Sequence, residues 1–162
     1  LAFFITWSVY GTHLQGDAPG WRRRKQGEQL PQPRLAEWRR ERLKFPVELL
    51  RAEQRTVVKK EIVRFCAVRA WHLWAHDVRT NHVHAVVTAS GFSGGKARDQ
   101  LKANCTRVLR VAWPGFRNRP VWTVGGDWQC VNSEDELEQV VIYVAEAQDR
   151  KRPPTNPSAA GR

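Results

Sequence analysis

The stretch Asn81-His82-Val83-His84-Ala85-Val86-Val87 sets two histidines around one apolar residue, inside a run that otherwise reads as a buried β-strand. Side chains two apart on a strand leave by the same face, so His82 and His84 present their imidazoles side by side. Two adjacent imidazoles are half of a metal site. The same spacing also suits two hydrogen-bonded core histidines, and spacing alone leaves both readings open.

The segments on either side of this strand give it a partner and a sheet. Trp71 to Val78 alternates in the manner of a strand, and Arg79-Thr80-Asn81 is a tight turn into the histidine strand, so the two predict a β-hairpin. Ala2 to Tyr10 (AFFITWSVY) is aromatic and β-branched and stops at Gly11, the pattern of a buried first strand. Behind Pro46, the residues Leu49, Leu50, Val57, Val58, Ile62 and Phe65 recur at helical spacing and predict a helix from Val47 to Val68. Downstream, Gly91, Gly94 and Gly95 break the chain before a second helix marked by Leu101, Cys105, Val108, Leu109 and Ala112. Its exposed face carries Lys96, Arg98, Lys102, Arg107 and Arg110.

Val121 to Val124 and Trp128 to Val131 read as short strand segments around Gly125-Gly126. Ser133 opens a last helix, with Glu136 placed to reach back in an S-x-x-E capping box and Leu137, Val140, Val141 and Val144 as the apolar stripe. The resulting order is that of a split βαβ. It predicts an α+β, ferredoxin-like (RRM-like) antiparallel sheet with helices on one face and an added C-terminal helix. Many unrelated activities share that fold, so it names none of them.

The 162 residues suit a single domain over residues 1–150, with 14–45 as a basic loop or insertion and 151–162 as a basic, disordered tail. A 41% hydrophobic content and eight Trp exclude a disordered chain, and most of those tryptophans are expected in the core. No apolar run approaches the roughly 18 residues of a membrane span, and the first residues lack the zones of a signal peptide. Cytoplasmic residence, with nucleoid association through DNA, is therefore expected. Cys66, Cys105 and Cys130 lie far apart without a CxxC pair, which argues against a disulfide framework or structural zinc and for three buried thiols.

The net charge of +11 points to a polyanionic partner. Residues 21–60 hold 13 Lys and Arg against 5 Glu, whereas the surroundings of the histidine pair are almost neutral. Tyr143 is one of only two tyrosines and lies about 100° or more from the centre of the last helix's apolar stripe, so it is expected outside the core.

The first strand, the Asn81 to Val87 strand, the segment Arg119-Pro120-Val121-Trp122-Thr123 ahead of Gly125-Gly126, and the late helix with Tyr143 together resemble the single-tyrosine transposases of the HUH superfamily. The resemblance is nearest to the REP-associated tyrosine transposases. It covers Ala2 to about Gln148, with Gly16 to Phe45 less well matched. It implies a metal-dependent endonuclease and strand transferase acting on single-stranded DNA with hairpin or palindromic elements. His82 and His84 would bind the divalent ion, Mg²⁺ or Mn²⁺, and Tyr143 would be the nucleophile that forms a 5′-phosphotyrosine and frees a 3′-hydroxyl. A monomer follows from the REP-associated likeness and a homodimer from the insertion-sequence relatives.

The chain departs from the family where a third metal ligand is due. Members commonly carry Gln or Asn four residues after the tyrosine, and that position is Ala147. Gln148 has the expected chemistry but lies about 140° from Tyr143 on an ideal helix, whereas Glu146 lies about 60° away. Both stand as candidates. The last helix is acidic, so phosphate contacts are expected from Arg22, Arg23, Arg24, Lys25, Arg39, Arg40 and Arg42, and from Lys96, Arg98 and Lys102 on the second helix. Trp21, Trp38 and Trp128 are candidates for base stacking, and His72 and His76 are expected to be structural or DNA-facing.

Two other readings compete. A non-catalytic single-stranded nucleic-acid-binding module would place aromatics on the sheet surface. A metal-dependent phosphoesterase of small substrates would use the histidines but neither the basic surplus nor Tyr143.

Overall fold

The computed structural model describes residues 1–12, 21–23 and 27–147; the expectations for Arg24, Lys25, Gln148 and the basic tail lie outside the described residues. The elements run β1 (Ala2–Ser8), β2 (Trp21–Arg23), β3 (Gly27–Gln29), α1 (Pro33–Glu41), α2 (Ala52–Val68), β4 (His72–Val78), β5 (His82–Thr88), α3 (Gly94–Ala112), β6 (Asp127–Val131) and α4 (Glu134–Ile142). A 3₁₀ turn at Pro114–Phe116 follows α3, and α4 widens into a π-helical turn at Tyr143–Ala147.

The main sheet has the order β4-β5-β1-β6 with every neighbouring pair antiparallel, as the split βαβ reading requires. β2 and β3 form a separate hairpin. One face of the sheet, with Ile5, Trp7, Val83, Ala85 and Val87, packs against Val58, Ile62 and Phe65 of α2 and Leu101, Cys105 and Leu109 of α3. Full burial of each such aliphatic stabilises by about 1.5–3 kcal/mol, so this layer holds the fold together. Glu61 of α2, itself buried, reinforces it by accepting two hydrogen bonds from Arg64 (2.8 and 2.6 Å) and one from Arg107 of α3 (3.3 Å). The hydrogen bond from Arg64 is the main reason its carboxyl is held below the ordinary range.

The opposite face is partly covered by α4. Ala2, Phe4, Val86 and Val131 meet Leu137 and Val144 in a smaller core, with Val140, Val141 and Tyr143 packed against it. Ser133 starts α4 as expected: its Oγ accepts the Glu136 N–H at 3.2 Å, while the Glu136 carboxylate accepts the Asn132 N–H at 2.8 Å.

Several boundaries differ from expectation. The helix expected from Val47 begins only at Ala52, because the Leu50 N–H is taken by the Thr80 carbonyl (2.8 Å) and Gln54 Oε1 accepts the Arg51 N–H (2.9 Å) to cap the true start. Leu50 is thereby buried against the β4–β5 turn, while Val47 and Leu49 stay exposed. Within residues 14–45, expected as a loop, β2, β3 and α1 form, the last with a proline in its first turn, where the missing N–H costs nothing. Val121 to Val124 is no regular strand but makes a single bridge, Trp122 to Val9. Cys66 and Cys105 are buried as expected, but Cys130 is exposed, since it lies on edge strand β6 beside the open Ser90–Phe92 loop.

Candidate active site on the second face of the sheet

Strand register brings the histidines to the face that α4 only partly covers. His84 pairs with Thr6 of β1 on one side and with Asp77 of β4 on the other, and His82 pairs with Ser8. The rings of His82 and His84 stand 4.7 Å apart between centroids. Their side-by-side presentation is thus realised.

Each ring is held through its Nδ1. The Asn81 side-chain oxygen, which can only accept, lies 2.6 Å from His82 Nδ1, so that nitrogen carries the hydrogen and the lone pair of the neutral ring is on Nε2. Thr6 Oγ1 lies 2.8 Å from His84 Nδ1 and can play the same part. Phe4 stacks on His84, with centroids 5.4 Å and planes 28° apart. His84 is only 7% exposed, and burial, followed by the charges of His82 and Arg79, pushes its pKa down to about 3. It is therefore neutral at ordinary pH, the state in which an imidazole can bind a metal.

Tyr143 arrives from the other side. The α-helix ends at Ile142 and the tyrosine opens the π-helical turn, a local widening often found at functional sites. Its ring meets Phe4 edge-on at 6.1 Å and lies 5.9 Å from the His84 ring. The expectation that it sits off the apolar stripe and outside the core is half right, because its ring is partly buried against Phe4 while Val144 fills the stripe. The two histidines, an aromatic floor and a tyrosine thus converge from β5, β1 and the end of α4.

Solved structures share this arrangement of elements. A candidate transposase from Deinococcus radiodurans R1 superposes with a TM-score of 0.53 at 14% identity, over 91% of this chain and 90% of that one. The REP-associated tyrosine transposase bound to a REP hairpin superposes with a TM-score of 0.51, also at 14% identity, over 88% of this chain. The chain has the tyrosine-transposase fold. It spans 63% of the length of the REP-associated protein. No protein-family model matches the chain, and no curated protein is similar to it in sequence.

Within the transposase fold, a complete ligand set is not assembled among the described residues: no group of three or more His, Cys, Asp or Glu side chains is gathered for a metal. Glu146 is exposed on the π turn. Asp77, level with His84, forms ion pairs with Lys59 and Arg79, each at 3.7 Å. The donor chemistry of His82 and His84 nonetheless fits a divalent ion as two imidazole nitrogen ligands, each with its Nδ1 engaged by a neighbouring oxygen.

The cations expected to meet phosphate fall into two groups. Lys96 is exposed at the start of α3, and Arg39 and Arg40 are exposed on α1 beside Trp38, whose ring Arg42 covers at 3.9 Å. Arg98 and Lys102 are turned inward instead. Lys102 Nζ donates to the carbonyls of Thr123 (2.8 Å) and Gly125 (2.5 Å), and Arg98 donates to that of Gly126 (3.0 Å). Burial, then the charge of Arg98, pushes the Lys102 pKa down to about 8. The loop they hold has a structural purpose: Trp122 bridges Val9 while Asp127 pairs with Thr6, so five steps of the edge chain answer three of β1. Residues 124–126 bulge out, with Gly125 and Gly126 at φ of 80° and 126°. A Cβ on Gly126 would come within 2.6 Å of the Thr6 carbonyl oxygen, directly behind the threonine that holds His84.

Arg22 and Arg23 lie on β2. Trp128, expected to stack on bases, is half-buried under Gly94 and Phe3, so that role is corrected. His76 is half-buried, pairs with Ala85 and has its pKa lowered by burial, whereas His72 is exposed against Trp74. Composition did not single out Thr6, Phe4, Asn81 or Trp74. Thr6 and Phe4 alternate on β1 with the core residues Ile5 and Trp7, and that alternation was the available signal.

Proposed function

We propose that the chain is a metal-dependent endonuclease and strand transferase that acts on hairpin-bearing single-stranded DNA through a tyrosine nucleophile. The observation that carries the reading is the approach of the Tyr143 ring to within 5.9 Å of His84, on the face where both imidazoles keep Nδ1 occupied. A REP hairpin is the ligand of one protein sharing the fold, which supports DNA hairpins as the substrate class here.

His82 and His84 would hold the ion, with Mn²⁺ or Mg²⁺ as its identity and Glu146 or Gln148 as a further ligand. When bound, such an ion supplies Lewis-acid stabilisation to phosphate oxygens. Tyr143 would attack phosphorus, forming an Oη–P bond to the 5′ side as the P–O3′ bond breaks and the 3′ oxygen takes up a proton. Phosphodiester is exchanged for phosphodiester, so the step runs backwards when a 3′-hydroxyl is offered. A phenol has a pKa near 10, so the developing charge needs stabilisation at neutral pH. Phe4 holds the tyrosine and His84 rings together, and Lys96, Arg39 and Arg40 are among the exposed cations that would meet phosphate.

The test is a covalent adduct. Wild type incubated with a hairpin oligonucleotide and Mn²⁺ should give a denaturation-resistant protein–DNA complex that Tyr143→Phe loses while still binding DNA. An adduct that survives Tyr143→Phe refutes the nucleophile. Ala147, standing where the family resemblance would place a third ligand, supports a second reading as a non-catalytic single-stranded nucleic-acid-binding module. That reading predicts binding with no adduct under any metal.

A further inference from the structure

Edge strand β4 breaks its alternation at Trp74. Leu73 pairs with Val87 and Ala75 with Val86, so Trp74 is an extra residue between them. A bulge re-aims side chains. Ala75 packs into the smaller core, and Trp74 donates its indole N–H to Thr88 Oγ1 at 2.9 Å. Thr88 leaves β5 on the same side as His82 and His84, so the indole stands on the histidine face. The Thr88 hydroxyl donates in turn to the Leu1 carbonyl at 2.6 Å, which fixes the anchor. His72, paired with Thr88, lies against the indole with ring centroids 4.1 Å apart.

Trp74 is 41% exposed, yet its ring is tethered at the nitrogen and flanked by an imidazole. An exposed apolar residue standing alone calls for no explanation. An exposed indole with its orientation already set is different, since a flat ligand stacking on it immobilises little that was free. Unpaired bases stack on such rings irrespective of sequence, and the net charge of +11 favours the polyanion that carries them. From His84 to Thr88 is four residues of strand, about 13 Å. A base at Trp74 would therefore belong to the strand whose phosphate lies at the histidines, a few nucleotides away.

We propose that Trp74 and His72 form a stacking platform for one unpaired base of the DNA strand engaged at His82, His84 and Tyr143. The position of that strand rests on the nuclease reading; the platform itself rests on the bulge and its anchored ring.

The test uses the full chain and hairpin oligonucleotides carrying 5-iodouracil at successive unpaired positions. On irradiation, one or two adjacent positions should crosslink to the peptide containing Trp74. Trp74→Ala should weaken single-stranded DNA binding about tenfold with an unchanged salt dependence, because no cation is removed, and Trp74→Phe should restore most of the loss. Crosslinks that map only to other peptides, or a Trp74→Ala protein that binds as wild type does, would overturn the platform. A Trp74 crosslink without any Tyr143 adduct keeps the platform and refutes the nuclease reading. An adduct without the crosslink does the reverse.

Discussion

Thr6 and His84 face each other across β1 and β5, with the threonine hydroxyl 2.8 Å from His84 Nδ1. The contact ties β1 to β5 on the face that carries the candidate site. Thr6→Val keeps the shape and removes the partner of a buried ring nitrogen, and should cost about 1–3 kcal/mol in urea unfolding. Such second-layer partners also set metal affinity, so Mn²⁺ binding measured by calorimetry should weaken about 10- to 100-fold. Unchanged affinity would separate Thr6 from the metal role.

Acid should weaken the protein through His84. Its folded pKa of about 3 lies below the ordinary 6.5, so between those values the unfolded chain binds the extra proton. This contribution to stability is complete above about pH 6.5 and is lost progressively as pH falls towards 3. Urea midpoints from pH 7.5 to 4 should fall, and His84→Gln should flatten that part of the curve. The His84 ring protons should show no titration by NMR across pH 5–8, the range in which an ordinary histidine titrates.

Gly126 and Gly125 separate strain from collision. Both have positive φ, but a Cβ meets nothing within 4 Å at Gly125, whereas at Gly126 it strikes the Thr6 carbonyl oxygen. Gly125→Ala should cost about 1 kcal/mol and Gly126→Ala distinctly more, about 2–3 kcal/mol, as judged by chemical unfolding. Only the second should also disturb the His84 NMR signals.

Glu61 is buried but its arginine partners are about half exposed, with side chains 50% and 57% accessible. Solvent screening limits what the pairs contribute, so Glu61→Ala should destabilise by only about 1 kcal/mol at pH 7. Its carboxyl pKa is lowered from the ordinary 4.5, so the contribution is present above that value and disappears as pH falls below it. A variant as costly at pH 3 as at pH 7 would show that packing, not charge, dominates.

Metal should act as a stabilising ligand if the pair binds it. Millimolar Mn²⁺ should raise the melting temperature of wild type, in proportion to the logarithm of its concentration over Kd, and chelator should reverse the shift. His82→Ala and His84→Ala should each abolish the response. A shift that persists in both would place the ion elsewhere.

The β-α-β-β-α-β order was legible in the chain because each element announces itself locally. AFFITWSVY is aromatic and β-branched up to Gly11, Leu101, Cys105 and Leu109 recur at helical spacing, and Ser133 with Glu136 marks a helix start. The nearness of His82 to His84 was likewise decided by the two-residue period of a strand. Local pattern was weaker where a distant partner overrides it. Leu50 looks helical but is drawn to the Thr80 carbonyl, and Trp74 looks like one more alternating residue until Val86 and Val87 set the register.

The remainder belonged to the tertiary structure alone. Strand order put Thr6 beside His84, helix packing carried Tyr143 across the sheet to Phe4, and the Gly125-Gly126 bulge turned Arg98 and Lys102 towards carbonyls. Those contacts join residues that are tens of positions apart. Their geometry depends on how whole elements pack, which no local periodicity encodes.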